Sequence, residues 1–215
     1  MELYTYYRST ASYRVRIALA LKGLDFTALP VNLLVPAGGA NRQPDYLAIN
    51  PQGRVPALRS DEGALLIQSQ AIIEYLDETH PLPAPLLPPE AVGRARVRAL
   101  AQIVACEIHP LNNLRVLKYL VNELKTGDDA KNAWYRHWVR LGLQSYESHL
   151  AAHPGRFSHG ATPTLADCCL VPQIFNAQRF DCDLSGLPRT MAVFDACMQL
   201  NAFQKAQPSA CPDAE

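Results

Sequence analysis

No cysteine precedes residue 106, and the six that follow, at 106, 168, 169, 182, 197 and 211, form neither a CxxC pair nor a Cys/His grouping at zinc spacing. That pattern argues against a disulfide framework and a structural metal, and leaves reduced, mostly buried thiols. An excess of charge is missing too. With 20 Lys+Arg against 20 Asp+Glu, nothing electrostatic points to nucleic acid or an anionic membrane as partner. No apolar run approaches the roughly 20 residues of a membrane span, and the opening MELYTYYRS lacks the apolar core of a signal peptide. The expectation is a cytoplasmic protein with a small-molecule partner. At 215 residues and 48% hydrophobic content, the chain can build one or two cored domains.

Proline, by contrast, is concentrated. His80 to Pro89 reads HPLPAPLLPP, five prolines in ten residues, which forbids helix interior and central strand alike. This divides the chain into an α/β domain over 1–80, a linker over 81–89 and a helical domain over 90–215. Before the linker, Leu3 to Tyr6 is a β-type run, and Ser12 to Lys22 is helical and ends at Gly23. Thr27 to Val31 is strand-like again. After an irregular stretch over residues 36–45, Ala57-Leu58 and Leu65 to Ile67 flank the turn signal Ser60 to Gly63 as a hairpin. Ser69 then opens the helix QAIIEYLDET. Beyond the linker, RARVRALAQIVACEI, NLRVLKYLVNEL, AWYRHWVRLGLQSYESHL, TLADCCLVPQIFNAQRF and TMAVFDACMQLNAFQKA all carry helical periodicity. Thr164 and Asp167 form a capping box at the head of the fourth. The order βαβ–ββα followed by helices suggests a thioredoxin-like domain joined to a helical bundle.

Three motifs carry a resemblance. NPQGRVPAL (Asn50 to Leu58) and QSQAIIEYL (Gln68 to Leu76) resemble the glutathione-binding elements of the glutathione S-transferase superfamily. STASYRVRIALALKG is similar to the S-S-C-x-x-R-V-R-I-A-L signature of its zeta class, and the similarity continues through TPTLADCCLVPQ and NAQRF to FQKAQP. The resemblance implies a thioredoxin-like N-terminal domain, an all-α C-terminal domain, glutathione as cofactor and a homodimer. It also implies a cis Val55-Pro56 bond, which frees the backbone of Val55 to pair with glutathione as an extra strand does. Gln52 and Pro56 belong to the same element. Gln68 and Ser69 are the expected ligands of the γ-glutamyl carboxylate, at a helix N-terminus whose positive dipole end suits an anion. Ser69 also fits as a plain N-cap.

The hydroxyl cluster at the head of the first helix suits a thiolate, because a free thiol with a pKa near 8.5 is only a few per cent ionised at neutral pH. By position in the motif Ser9 is the donor to the glutathione sulfur, Thr10 the second choice, and Ser12 the helix cap. Ala11 stands where the family usually has cysteine. Together with the absence of cysteine from the α/β domain, this argues against the cysteine-dependent relatives and their reductase chemistry.

Arg14 and Arg16 lie inside the helix, where structural ion pairs or a dimer face are the ordinary use. Arg8 sits at the strand end beside the expected ligand crevice. The resemblance places Arg115 and Arg179 near the substrate pocket, and with Arg8 they suit a substrate with two carboxylates. His109 and Asn113 are expected to reach glutathione or to support Arg115. The expected activity is cis–trans isomerisation of a maleyl keto acid, maleylacetoacetate or maleylpyruvate. Glutathione thiolate adds to the double bond, the resulting single bond rotates, and elimination restores glutathione. A transferase acting on halogenated acids or other electrophiles is the alternative, and a non-catalytic scaffold a third.

Overall fold

The computed structural model describes residues 1–35 and 39–214, so the head of the irregular 36–45 stretch lies outside the described residues. The chain forms two compact units, Met1–Leu86 with Met198–Glu215, and Leu87–Cys197. In the first, β1 (Glu2–Thr5), β2 (Thr27–Pro30), β3 (Ala57–Arg59) and β4 (Leu65–Ile67) form a mixed sheet in the order β2-β1-β3-β4. β1 runs parallel to β2 and antiparallel to β3, and β3 and β4 are the expected hairpin. Leu3 and Leu58, paired across β1 and β3, are fully buried.

Helix α1 (Thr10–Lys22) connects β1 to β2 and ends at Gly23, whose φ of 65° is the left-handed conformation expected of a C′ glycine. It begins earlier than its apolar periodicity suggests. Ser9, not Ser12, is the cap: its Oγ accepts the Ser12 N–H at 3.2 Å. The chain turns sharply after β1, with Ser9 N–H on Tyr6 C=O at 2.9 Å, so the first helical turn starts at Thr10. After α2 (Pro44–Ile49) and the hairpin comes α3 (Ser69–Thr79). Gln68 occupies its cap position and Ser69 is already its first helical residue, so Ser69 is not the N-cap. At the far end of α1, buried Lys22 bridges Asp77 of α3 at 2.6 Å and the linker carbonyl of Ala84 at 2.8 Å.

The second unit is helical. The segment read from sequence as one helix is α4 (Ala91–Gln102) followed by a π-helical turn (Ile103–Ile108) and the short α5 (His109–Asn112). α6 (Leu114–Asn122) and α7 (Gly127–Ala152) follow, and Gly142 lets the α7 backbone approach Ile108, whose Cγ1 would lie 2.2 Å from an added Cβ. α8 (Leu165–Arg179) starts at the expected capping box, where buried Asp167 accepts the Thr164 N–H at 2.7 Å and the Ser158 N–H at 2.8 Å. α9 (Pro188–Met198) closes the unit.

The last helical pattern breaks after α9, and α10 (Asn201–Ala206) groups with the first unit, although division at the linker assigns it to the helical domain. The reason is packing: Phe203 and Ala206 are buried, and the Ala206 carbonyl accepts a hydrogen bond from Arg16 of α1 at 3.0 Å. This segment also brings Cys211 to an α/β unit that sequence division leaves without cysteine. The Cys211 thiol is committed to the Gln207 carbonyl at 3.5 Å, and burial raises its pKa. It is therefore a poor nucleophile.

Within the second unit Glu147 of α7 caps α9 from outside. Its carboxylate accepts the N–H groups of Arg189 (3.1 Å) and Thr190 (2.7 Å) and the Thr190 hydroxyl (2.8 Å). Burial pushes its pKa up, but the bonds from Thr190 and Arg189 together outweigh burial and the net shift is downward. Glu147→Ala is expected to destabilise the protein by about 1–3 kcal/mol at neutral pH, read from urea unfolding. A folded-state pKa below the unfolded value makes this contribution full above about pH 4.3 and lost as pH falls through the folded value. Wild type and variant should therefore converge in acid.

Candidate functional site

Tyr6, Tyr7, Arg8 and Ser9 form the turn between β1 and α1, and the site is built around it. Because Ser9 Oγ accepts the Ser12 N–H, one of its lone pairs is engaged and its hydrogen is left to donate, at the positive end of α1. Thr10, in the first helical turn, is buried, whereas Ser9 is half-buried. Arg8 donates to the Tyr6 hydroxyl at 3.1 Å and its guanidinium lies 4.9 Å from the Tyr7 ring centre. Ala11 contributes no polar group.

The turn is held from below by Arg16, which is 5% exposed. Its guanidinium donates to Thr5 Oγ1 (3.1 Å) and to the carbonyls of Tyr6 (3.5 Å), Tyr7 (3.0 Å) and Ala206 (3.0 Å). Burial lowers its pKa, while Cys211, Tyr13 and Asp213 nearby act in the opposite direction. The expectation of an ion pair or dimer face for Arg16 is corrected: its hydrogen bonds go to neutral oxygens of its own unit. Arg14, also buried, donates from NH1 to Ser69 Oγ at 3.3 Å and so joins α1 to the start of α3. Neither link was read from the sequence. The available signal was that YRVRIAL has no polar face, and a helix apolar all round buries its arginines with it.

Facing these elements, the Val55-Pro56 peptide is cis, as the motif implied. Val55 packs in one cluster with Tyr6, Tyr7, Val31 and Tyr46. Among the described residues neither its N–H nor its C=O has a backbone partner. The preceding carbonyl, of Arg54, is anchored by the Tyr46 hydroxyl (2.6 Å) and the Asn50 amide (2.8 Å). Gln68 adopts φ 69° and ψ 115°, a conformation non-glycine residues seldom take, and its Nε2 donates to Gln52 Oε1 at 2.8 Å. The two glutamines of the two motifs thus form one exposed pair beside buried Ser69. The first unit therefore brings together Arg8, Ser9, Thr10, Gln52, Val55, Pro56, Gln68 and Ser69. Together they offer a hydroxyl donor at one helix N-terminus, a buried hydroxyl at another, and a peptide that no backbone group of the described residues pairs with. That set suits an extended peptide carrying a carboxylate and a soft nucleophile.

In the second unit Asn113 caps α6, its Oδ1 accepting the Arg115 N–H at 3.2 Å, and its Nδ2 lies 3.4 Å from His109 Nε2. Arg115 is exposed on the first turn of α6. Arg179 lies on the last turn of α8, donating to Asn176 Oδ1 at 3.0 Å, with Phe175 and Phe180 5.9 and 5.8 Å from its guanidinium. Trp134 and Trp138 form an edge-to-face pair at 5.6 Å, and Trp134 donates to the Leu111 carbonyl, consistent with a packing role.

Residues 3–84 match the family model of the glutathione S-transferase N-terminal domain. The chain is 52% identical to maleylacetoacetate isomerase from Pseudomonas aeruginosa over 213 residues, covering 99% of this chain and 98% of that protein. Among solved structures, the holo form of a maleylpyruvate isomerase, described as a bacterial zeta-class glutathione S-transferase, is 49% identical. It covers 100% of both chains with a TM-score of 0.95. Maleylacetoacetate isomerase from Anaeromyxobacter dehalogenans, solved with glutathione in its active site, is 43% identical with a TM-score of 0.88, covering 100% of this chain and 97% of that one.

The backbone of Gln68 generates a stability test. Glycine reaches φ 69° without a Cβ clash, so Gln68→Gly is expected to keep or raise stability by up to about 1 kcal/mol, despite losing the bond to Gln52. Thermal melting checks this, and a clearly lower midpoint means that the Gln52 bond outweighs the backbone strain.

Proposed function

The chain belongs to the zeta class of the glutathione S-transferase family, and on that premise we propose that it is a glutathione-dependent cis–trans isomerase of a maleyl keto acid, maleylacetoacetate or maleylpyruvate. The observation that carries the reading is the Ser9 hydroxyl, its hydrogen free to donate at the positive end of α1, in a unit with no activated thiol of its own. Such a site needs its sulfur brought to it. Glutathione fits the groups present: a thiol for Ser9, a peptide backbone for the unpaired Val55, and a γ-glutamyl carboxylate for Ser69 and Gln68. When bound, it supplies a sulfur that adds to the double bond and leaves after rotation, so it is returned unchanged.

The protein's own residues bind, orient and stabilise. Ser9 donates to the sulfur and favours its anion, with Thr10 beside it in the first helical turn. Arg14 donates to Ser69 Oγ, which leaves the Ser69 hydrogen for a carboxylate. Gln52 steadies Gln68, and Pro56 keeps the Val55 peptide unpaired for the cofactor backbone. Arg8, Arg115 and Arg179 hold the substrate's carboxylates and the negative charge that develops on its oxygen. Asn113 supports Arg115, a reading supported by its side chain, which accepts the Arg115 N–H and lies beside His109.

The proposal extends to a homodimer, supported by family membership, and to the cytoplasm, supported by six cysteines that form no disulfide among the described residues. Sedimentation at micromolar concentration is expected to report about twice the 23.7 kDa chain mass, and a clean monomer removes the dimer.

The arginines separate an isomerase from a general transferase. Arg115→Ala and Arg179→Ala should each lower kcat/KM for isomerisation by roughly 2–5 kcal/mol, because a substrate carboxylate is left unpaired. Conjugation of glutathione to an uncharged aryl halide should hardly change. Lysine at either position should recover only part of the loss, lacking the planar two-point fork. Wild-type isomerisation of both maleyl keto acids by both alanine variants makes the transferase the better reading.

A further inference from the structure

The turn that presents Ser9 contains no glycine or proline, so nothing in Tyr6-Tyr7-Arg8-Ser9 restricts its own backbone. Its geometry depends on where its peptide groups find partners. The Tyr6 carbonyl takes the Ser9 N–H at 2.9 Å, and the Tyr7 carbonyl takes Arg16 NH2 at 3.0 Å. The Tyr7 N–H donates to Asp213 Oδ2 at 3.0 Å, a carboxylate 206 residues away in sequence. Two further observations show that this segment is placed there by packing. Arg16 binds the Ala206 carbonyl with the same guanidinium that holds the turn, and Cys211 packs against the cluster of Tyr6, Tyr7 and Val55.

We propose that Asp213 is a positioning residue for the reaction: by accepting the Tyr7 N–H opposite Arg16 it fixes the turn that aims the Ser9 hydroxyl at the glutathione sulfur. The proposal rests on the reading of Ser9 as thiolate donor. A carboxylate is the stronger acceptor for a backbone N–H, and a donor displaced by a few tenths of an ångström loses much of its hold on an anion. Among the described residues, the charged or titratable groups in contact around the turn are Tyr6 and Tyr7 themselves, Arg8, Tyr13, Arg16, Tyr46, Cys211 and Asp213, and Asp213 is the carboxylate of that set. That gives the test a sign. As a mere negative charge, Asp213 disfavours the thiolate, and its removal should lower the sulfur's pKa. As a positioning residue, its removal should raise it.

The experiment follows the ultraviolet absorbance of bound glutathione thiolate against pH in the full chain, wild type and variants, with thermal melting alongside. Asp213→Ala should raise the midpoint by about half a unit or more, roughly threefold less thiolate at neutral pH. Asp213→Asn keeps a neutral acceptor and should recover at least half of that shift. In the Ser9→Ala background, Asp213→Ala should add nothing. A midpoint unchanged or lowered in Asp213→Ala while Ser9→Ala raises it overturns the proposal alone, as does an equal shift in the alanine and asparagine variants or an additive double variant. A midpoint unmoved by Ser9→Ala overturns the thiolate-donor reading first. Should Asp213→Ala not fold, Asp213→Ser, whose shorter side chain cannot reach the Tyr7 N–H, takes its place in the same measurements with the same outcomes.

Discussion

One buried guanidinium organises the first unit. Arg16 is removed from water without a carboxylate directly bonded to it, a burial tolerable only because four oxygens around it are arranged to receive its N–H groups. Those oxygens belong to strand β1, to the turn after it and to α10. Satisfying one cation therefore forces three separate stretches of chain into a fixed relation, and Ser9 follows directly on two of the carbonyls held. Truncating Arg16 would leave carbonyls buried and unpaired, which is why its contribution exceeds that of a surface arginine.

The same economy appears in the two helix starts proposed to bind glutathione. Each places a hydroxyl at a positive dipole end, and each hydroxyl has its acceptor capacity used by a protein donor: Ser12 N–H for Ser9, Arg14 for Ser69. An engaged lone pair leaves the hydrogen available, so each serine can donate to an anion. Between them Val55 offers the complementary backbone pair. In the proposed reading these parts serve sulfur, carboxylate and peptide separately, each through its own hydrogen bonds.

Much of this was legible. Period changes marked the βαβ and ββα order, the prolines of HPLPAPLLPP marked the linker, and Thr164 with Asp167 marked the start of α8, because each follows from backbone chemistry within a few residues. The motifs NPQGRVPAL and QSQAIIEYL located the cis Val55-Pro56 peptide and the start of α3, the elements proposed to hold the cofactor. Less legible was which serine caps which helix. Ser12 looked like the cap because apolar periodicity begins there, yet the turn after β1 moved the cap three residues earlier, to Ser9. Ser69 looked like a cap and is the first helical residue instead, because Gln68 holds the positive-φ corner.

The sequence by itself determined the secondary-structure order, the family and the residue types available for sulfur and carboxylate recognition, since these rest on local propensity and on short motifs. Only the tertiary structure decided what the arginines of α1 do, which residues pair across the two glutamine motifs, and that the segment after Met198 returns to the first unit. Hydrogen bonds such as Arg16 to Ala206 and Tyr7 to Asp213 join residues about 190 and 206 positions apart. No periodicity or spacing encodes a partner at that distance. It is selected when buried polar groups, cut off from water by the packed core, must find one another.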